Sequence, residues 1–219
     1  MSESIPRRSL RAVFLDRDGV LNRADVRSGK PYPPRQIADF VLLPGVEEAC
    51  LLLKKHEFLL VVATNQPDVG RGTQSIETIE AMHDLLVQRV PIDRIEICYD
   101  AGDVPSLYRK PEPGMLLRVA ADWEIDLRAS FMVGDRWRDI DCGNAAGCTT
   151  VFIDHGYDEP LRSQPAHRAS NLLEAARWIV EQDQKTIRPW KEKTGCSALY
   201  RYSSSYPPRF MPTAPTVRE

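Results

Sequence analysis

Ala12-Val13-Phe14-Leu15-Asp16-Arg17-Asp18-Gly19-Val20 decides how the chain is read. Four apolar residues follow Arg11 and end in turn-forming residues, the pattern of a short buried strand. Side chains two apart on extended backbone point to one side. Asp16 and Asp18 are therefore brought close together at the C-terminal end of that strand. In open α/β sheets this edge carries the ligand. Two neighbouring carboxylates invite a hard divalent cation and a division of acid and base work between them. Gly19 lets the chain turn sharply. A calcium loop of the EF-hand kind also opens D-x-D-G, but it needs further oxygen ligands and a closing Glu. Residues 20–30 supply only Asp25.

Outward from this strand, apolar runs alternate with amphipathic stretches. Residues 22–39 form a polar loop rich in Gly and Pro. Helices are expected over 46–56, 76–89, 113–123, 139–146 and 171–182. Pro113 suits a helix start and Gly147 a helix end. Strands are expected over 59–64, 94–99, 131–134 and 149–153. Strands separated by helices imply a parallel sheet covered on both faces. The expectation is one α/β domain over 1–184, Rossmann-like and three-layered, with a central parallel sheet and no large cap domain. Residues 185–219 read as a flexible or loosely docked tail containing Pro, Ser and Arg. The aromatics Trp190, Tyr200, Tyr202, Tyr206 and Phe210 suit docking on the domain or on a partner.

The 219 residues are 42% hydrophobic and 27% charged, with a formal net charge of −2. That composition is ordinary for a globular protein and gives no sign of a nucleic-acid surface. No apolar run approaches the roughly 20 residues needed to cross a membrane, and residues 1–11 lack the apolar segment of a signal peptide. Cys50, Cys98, Cys142, Cys148 and Cys196 form no C-x-x-C pair, which fits reduced thiols in a cytoplasm. A monomer acting on a small molecule is expected.

Three later segments place polar groups at the same sheet edge. Thr64-Asn65-Gln66 ends the second strand, where a hydroxyl and turn amides suit phosphoryl oxygens; a turn-capping Thr is the plainer reading. Arg109-Lys110-Pro111-Glu112-Pro113-Gly114 sets two cations before a helix, otherwise a solvated basic turn. Gly134-Asp135-Arg136 ends the fourth strand and Asp139 follows. Asp135 suits a Mg2+ site completed by water and phosphate oxygens, and Asp139 suits a helix N-cap.

The order D-R-D-G-V, T-N-Q, R-K-P-x-P-G, G-D-R-x-x-D resembles the haloacid dehalogenase (HAD) superfamily of phosphatases. The match spans roughly residues 11–157. Within the superfamily it is similar to the small capless branch of D-glycero-D-manno-heptose 1,7-bisphosphate phosphatases and histidinol-phosphate phosphatases. The resemblance implies that Asp16 is the nucleophile and Asp18 the acid and base. Asp18 would start protonated, favoured by the nearby Asp16 charge. It implies Mg2+ bound by the Asp16 carboxylate, the Asp18 backbone carbonyl and Asp135. Thr64 and Lys110 would hold the transferring phosphoryl group. Asn65, Gln66, Arg109 and Arg136 would contact the substrate or its second phosphate. Many relatives carry a zinc loop, C-x-H then C-x-C, whose places here are Cys98, Asp100, Ser106 and Tyr108. These do not make a structural zinc site, so zinc is expected to be absent. A heptose bisphosphate, histidinol phosphate and another sugar phosphate stay open as substrates, as does a catalytically weak binding protein of the same fold.

Overall fold

The structure is a computed structural model that describes residues 10–194. In chain order the elements are β1 (Ala12–Leu15), β2 (Asp25–Arg27), β3 (Lys30–Tyr32), α1 (Val46–Lys55), β4 (Leu59–Asn65), α2 (Pro67–Gly70), α3 (Ile76–Arg89), β5 (Arg94–Cys98), α4 (Gly114–Trp123), β6 (Phe131–Gly134), α5 (Trp137–Ala146), β7 (Thr149–Ile153), β8 (His167–Ala169) and α6 (Leu172–Thr194). Six of the strands form one parallel sheet in the order β5-β4-β1-β6-β7-β8. The chain winds outward from β1 through β4 to β5, then returns to β6 on the other side of β1. A reversal of this kind opens a crevice at the C-terminal ends of the central strands.

Alternation along β1 divides the core in two. Val13 and Leu15 pack with α1, α6 and Leu86 of α3. Ala12 and Phe14 pack on the other face with Met115, Leu116 and Val119 of α4 and Cys142 and Ala146 of α5. All four residues of β1 are fully buried, as expected for a strand covered on both faces. Register then sets the ligand edge. Leu15 lies opposite Val62 of β4 and Val133 of β6, so Asp16 comes level with Ala63 and Gly134, and Thr64 and Asp135 follow one residue on at the same edge.

The expected polar loop contains an antiparallel hairpin, β2–β3. Ser28 and Gly29 turn it with φ of 48° and 72°, the two positive values a tight hairpin turn requires. The three-residue edge strand β8 carries no apolar run to announce it. Helix α5 begins at Trp137, two residues before the expected start, with Arg136 as its N-cap. Helix α6 continues through Thr194, past the boundary expected at 184. Residues 195–219, with Cys196 and the aromatics Tyr200, Tyr202, Tyr206 and Phe210, lie outside the described residues. Among the described residues no helix is long and apolar enough to cross a membrane. Cys50, Cys98, Cys142 and Cys148 are free and buried.

Candidate active site

Lys110 organises the floor of the crevice. Its Nζ donates to Asp16 Oδ1 at 2.7 Å and to the Ala63 carbonyl at 2.7 Å, and pairs with Asp139 Oδ1 at 2.6 Å. The side chain is 3% exposed. Burial acts against its charge, but Asp139 and Asp16 outweigh burial and raise its pKa. Asn65 fixes the Lys110 backbone, its Nδ2 donating to the Lys110 carbonyl at 3.0 Å and its Oδ1 accepting from the Lys110 N–H at 3.1 Å. A neutral amide can do both at once, as a carboxylate could not.

Three carboxylates share the pocket with that single ammonium, which pairs with two of them. Ligand atoms of Asp16, Asp135 and Asp139 all lie within 4.8 Å of one another. Burial pushes Asp16 up to about 6; Lys110 opposes the rise, while Asp139 and Asp18 add to it. Asp135 is raised well above the usual carboxylate range by burial, then by Asp16 and Asp139. Both Asp135 oxygens are buried and have no hydrogen-bond partner. Tyr157 lies close by, and burial followed by the Asp135 charge pushes its hydroxyl up. Buried carboxylate oxygens without partners are costly unless something else binds them. A hard divalent cation fits this donor set, with water and phosphate oxygens as its remaining ligands. Gly19 packs against the same carboxylate: a Cβ there would lie 1.8 Å from Asp135 Oδ2.

Asp139 has two tasks: from the third position of α5 it caps the helix start, and it pairs with Lys110. Its Oδ2 accepts from the Arg136 backbone N–H at 3.0 Å while its Oδ1 pairs with Lys110. The capping role is legible in the sequence; the pairing with Lys110, far away in the chain, is not.

Asp18 departs from expectation. Its carboxylate accepts from Arg17, from Asn22 Nδ2 at 2.9 Å and from Gln66 Nε2 at 2.9 Å. Burial favours the neutral form, but Arg17 and the hydrogen bonds from Asn22, Arg17 and Gln66 outweigh it and hold the pKa below the usual value. The free site therefore keeps Asp18 ionised, where closeness to Asp16 had suggested a proton. Its carboxylate also stands outside the cluster of Asp16, Asp135 and Asp139.

The remaining expected residues divide between floor, wall and support. Thr64 and Gln66 are buried, and Gln66 Nε2 also donates to Thr64 Oγ1 at 2.9 Å. Gln66 thus ties Thr64 to Asp18. Asn65 and Arg136 line the cleft, joined by Arg138 and by Tyr32 and Pro33 at the hairpin. Glu159 gathers the wall: it accepts from Arg136 Nε at 2.6 Å, Trp137 Nε1 at 2.8 Å and Arg138 Nη1 at 3.2 Å. Arg138 and Glu159 were missed because neither belongs to a sequence motif. Arg109 does not line this cleft; its Nη1 donates to the Asp100 carbonyl at 2.6 Å.

The four places that correspond to the zinc ligands of many relatives are joined by hydrogen bonds. Cys98 Sγ donates to Asp100 Oδ2 at 3.4 Å, and the Ser106 hydroxyl donates to the same oxygen. Ser106 Oγ accepts from the backbone N–H groups of Tyr108 and Arg109 at 3.2 and 3.1 Å. The Tyr108 ring lies under the Arg118 guanidinium, 4.8 Å away.

Comparison with known proteins places this geometry. The HAD-hydrolase-like family model matches residues 107–175. The D-glycero-alpha-D-manno-heptose-1,7-bisphosphate 7-phosphatase of Burkholderia mallei is 37% identical over 189 residues, which cover 81% of this chain and 92% of that protein. The D-glycero-beta-D-manno-heptose-1,7-bisphosphate 7-phosphatase of Escherichia coli K12 is 33% identical over 202 residues, covering 86% and 99%. Among solved structures, the D,D-heptose 1,7-bisphosphate phosphatase of B. bronchiseptica, complexed with magnesium and phosphate, superposes with a TM-score of 0.68 at 27% identity, covering 79% of this chain and 99% of that one. With likeness of that extent, the chain belongs to the heptose-bisphosphate phosphatase family of the HAD superfamily and is a phosphoric monoester hydrolase.

Proposed function

We propose that the chain hydrolyses a sugar bisphosphate through an aspartyl-phosphate on Asp16, with D-glycero-D-manno-heptose 1,7-bisphosphate as the first candidate. The observation that carries the reading is Asp16 held at 2.7 Å from buried Lys110, beside an Asp135 carboxylate without hydrogen-bond partners. The names of the relatives support the substrate. So does a cleft wall in which Arg136 and Arg138 share one carboxylate, Glu159, leaving positive charge for a second phosphate.

Asp16 attacks phosphorus, and the bond to the leaving oxygen breaks as the new P–O bond forms. Lys110 holds the nucleophile and offsets its repulsion with the phosphoryl group. The Thr64 hydroxyl accepts from Gln66, so its proton remains free to donate to a phosphoryl oxygen. Asp18 takes up a proton as the anionic substrate arrives, gives it to the leaving oxygen, and recovers one from the attacking water. Mg2+, held by Asp16 and Asp135 with the Asp18 backbone carbonyl, would supply positive charge to the phosphoryl oxygens. Asp139 positions Lys110. The hydrogen bonds of Cys98, Asp100 and Ser106 stand in for zinc in the loop before Lys110. We place the protein in the cytoplasm as a monomer that binds neither nucleic acid nor membrane, on its charge balance and scattered cysteines.

Phosphate release from a panel of sugar bisphosphates, the matching monophosphates and histidinol phosphate, with and without Mg2+, tests the reading. The highest kcat/KM should fall on a bisphosphate and require Mg2+. A monophosphate or histidinol phosphate turned over equally well would overturn the substrate assignment.

A further inference from the structure

Arg17 has no task in the steps above, yet it heads the large side chains that are fully buried. A guanidinium does not shed its charge, so complete burial requires partners. Nε and Nη2 form a fork on Asp18, at 3.2 and 3.1 Å from Oδ1 and 3.0 Å from Oδ2. Nη1 donates to His83 Nε2 at 3.1 Å. The Arg17 carbonyl accepts from the N–H groups of Leu21 and Asn22 at 2.9 and 3.0 Å, which fixes the turn as well.

His83 belongs to α3 and is fully buried. Arginine only donates, so His83 Nε2 must carry a lone pair and the ring proton sits on Nδ1. That Nδ1 is buried without a partner. An apolar residue would fill the space without a stranded N–H, which is destabilising. Burial, helped by the Arg17 charge, pushes His83 down to about 3, so the ring stays a neutral acceptor. The arrangement makes sense if the acceptor is needed. Asn22 holds Oδ1 and Gln66 holds Oδ2, each through a single hydrogen bond from a side-chain amide. Arg17 grips both oxygens and so sets the carboxylate plane. His83 sets the plane of Arg17.

We propose that Arg17 and His83 are positioning residues that align the Asp18 carboxylate for proton transfer to the leaving oxygen, with His83 tying that alignment to α3. The inference rests on Asp18 as the general acid. Leaving-group dependence tests it. A sugar phosphate leaves as a poor alkoxide and needs the proton; p-nitrophenyl phosphate leaves as a stable phenolate and hardly does. The ratio kcat/KM reports steps through loss of the leaving group. His83→Leu should lower it roughly 10- to 100-fold on the sugar phosphate and less than about 3-fold on the aryl phosphate. His83→Gln, which can still accept from Arg17, should recover most of the loss. Arg17→Lys keeps the charge without the fork and should repeat the His83→Leu pattern, as a second variant should His83→Leu fold poorly. Asp18→Asn is the reference and should show the same selectivity more strongly. Equal losses on both substrates in His83→Leu and Arg17→Lys, with Asp18→Asn selective, would overturn the positioning role alone. Equal losses in Asp18→Asn would overturn the assignment of Asp18 and this inference with it.

Discussion

The carboxylate pocket and the loop from Cys98 to Arg109 meet at Lys110, and they are held by opposite means. In the pocket, Asp16 and Asp139 pair with one buried ammonium beside Asp135, and burial strengthens every charge interaction. In the loop, Cys98, Asp100 and Ser106 share neutral and singly charged hydrogen bonds, with Asp100 exposed and Ser106 half-buried. A buried charge left without its partner is costly. A surface hydrogen bond lost to solvent is largely replaced by water. The pocket is therefore intolerant at each position, whereas the loop can change its chemistry and still deliver Lys110.

Asp16→Asn should break the pocket most completely. It keeps the shape but removes the anionic nucleophile, so phosphate release should fall by about 10⁴-fold or more. Near-normal turnover by a folded variant would sink the proposed chemistry. Lys110→Met comes next. It should cost about 10²–10³-fold in kcat/KM and, by leaving Asp16 and Asp139 without their cation, about 3–5 kcal/mol of stability in urea denaturation. Ser106→Ala, in the loop, should cost only about 1 kcal/mol and a few-fold in kcat/KM. An effect on the scale of Lys110→Met would erase the contrast between the regions. The smallest effect concerns metal in the loop. Strong chelator should leave the melting temperature unchanged once Mg2+ binding is allowed for, and elemental analysis should find well under one zinc per chain. About one zinc per chain, with unfolding on chelation, would show that the loop is metal-bound after all.

Much of this was legible because the decisive signals are local. The run Ala12–Leu15 is apolar on both faces and reads as a buried strand, which the sheet places at its centre. The aspartates follow it directly. What stayed hidden depends on residues distant in the chain. Asp139 caps α5 as its place suggests, but its pairing with Lys110 at 2.6 Å joins residues far apart in the chain. Asp18 looked like a proton carrier at rest until Arg17, Asn22 and Gln66 closed around it. Gln66 read as a substrate contact, but its amide is engaged by Asp18 and Thr64. The hairpin was recoverable in principle, since Ser28-Gly29 between two extended triplets is a turn signal. The edge strand β8 was not, because its pairing with β7 supplies what its sequence lacks.

Gly19 has a consequence for anyone who would transplant this pocket. With φ of 92° and no room for a methyl group beside Asp135, it makes the loops after β1 and β6 a matched pair, cut to each other's outline. Moving the four aspartates to a new scaffold with any other residue in place of Gly19 would carry every carboxylate across and still fail. The tolerance of the joint is set by a carbon atom that is not there.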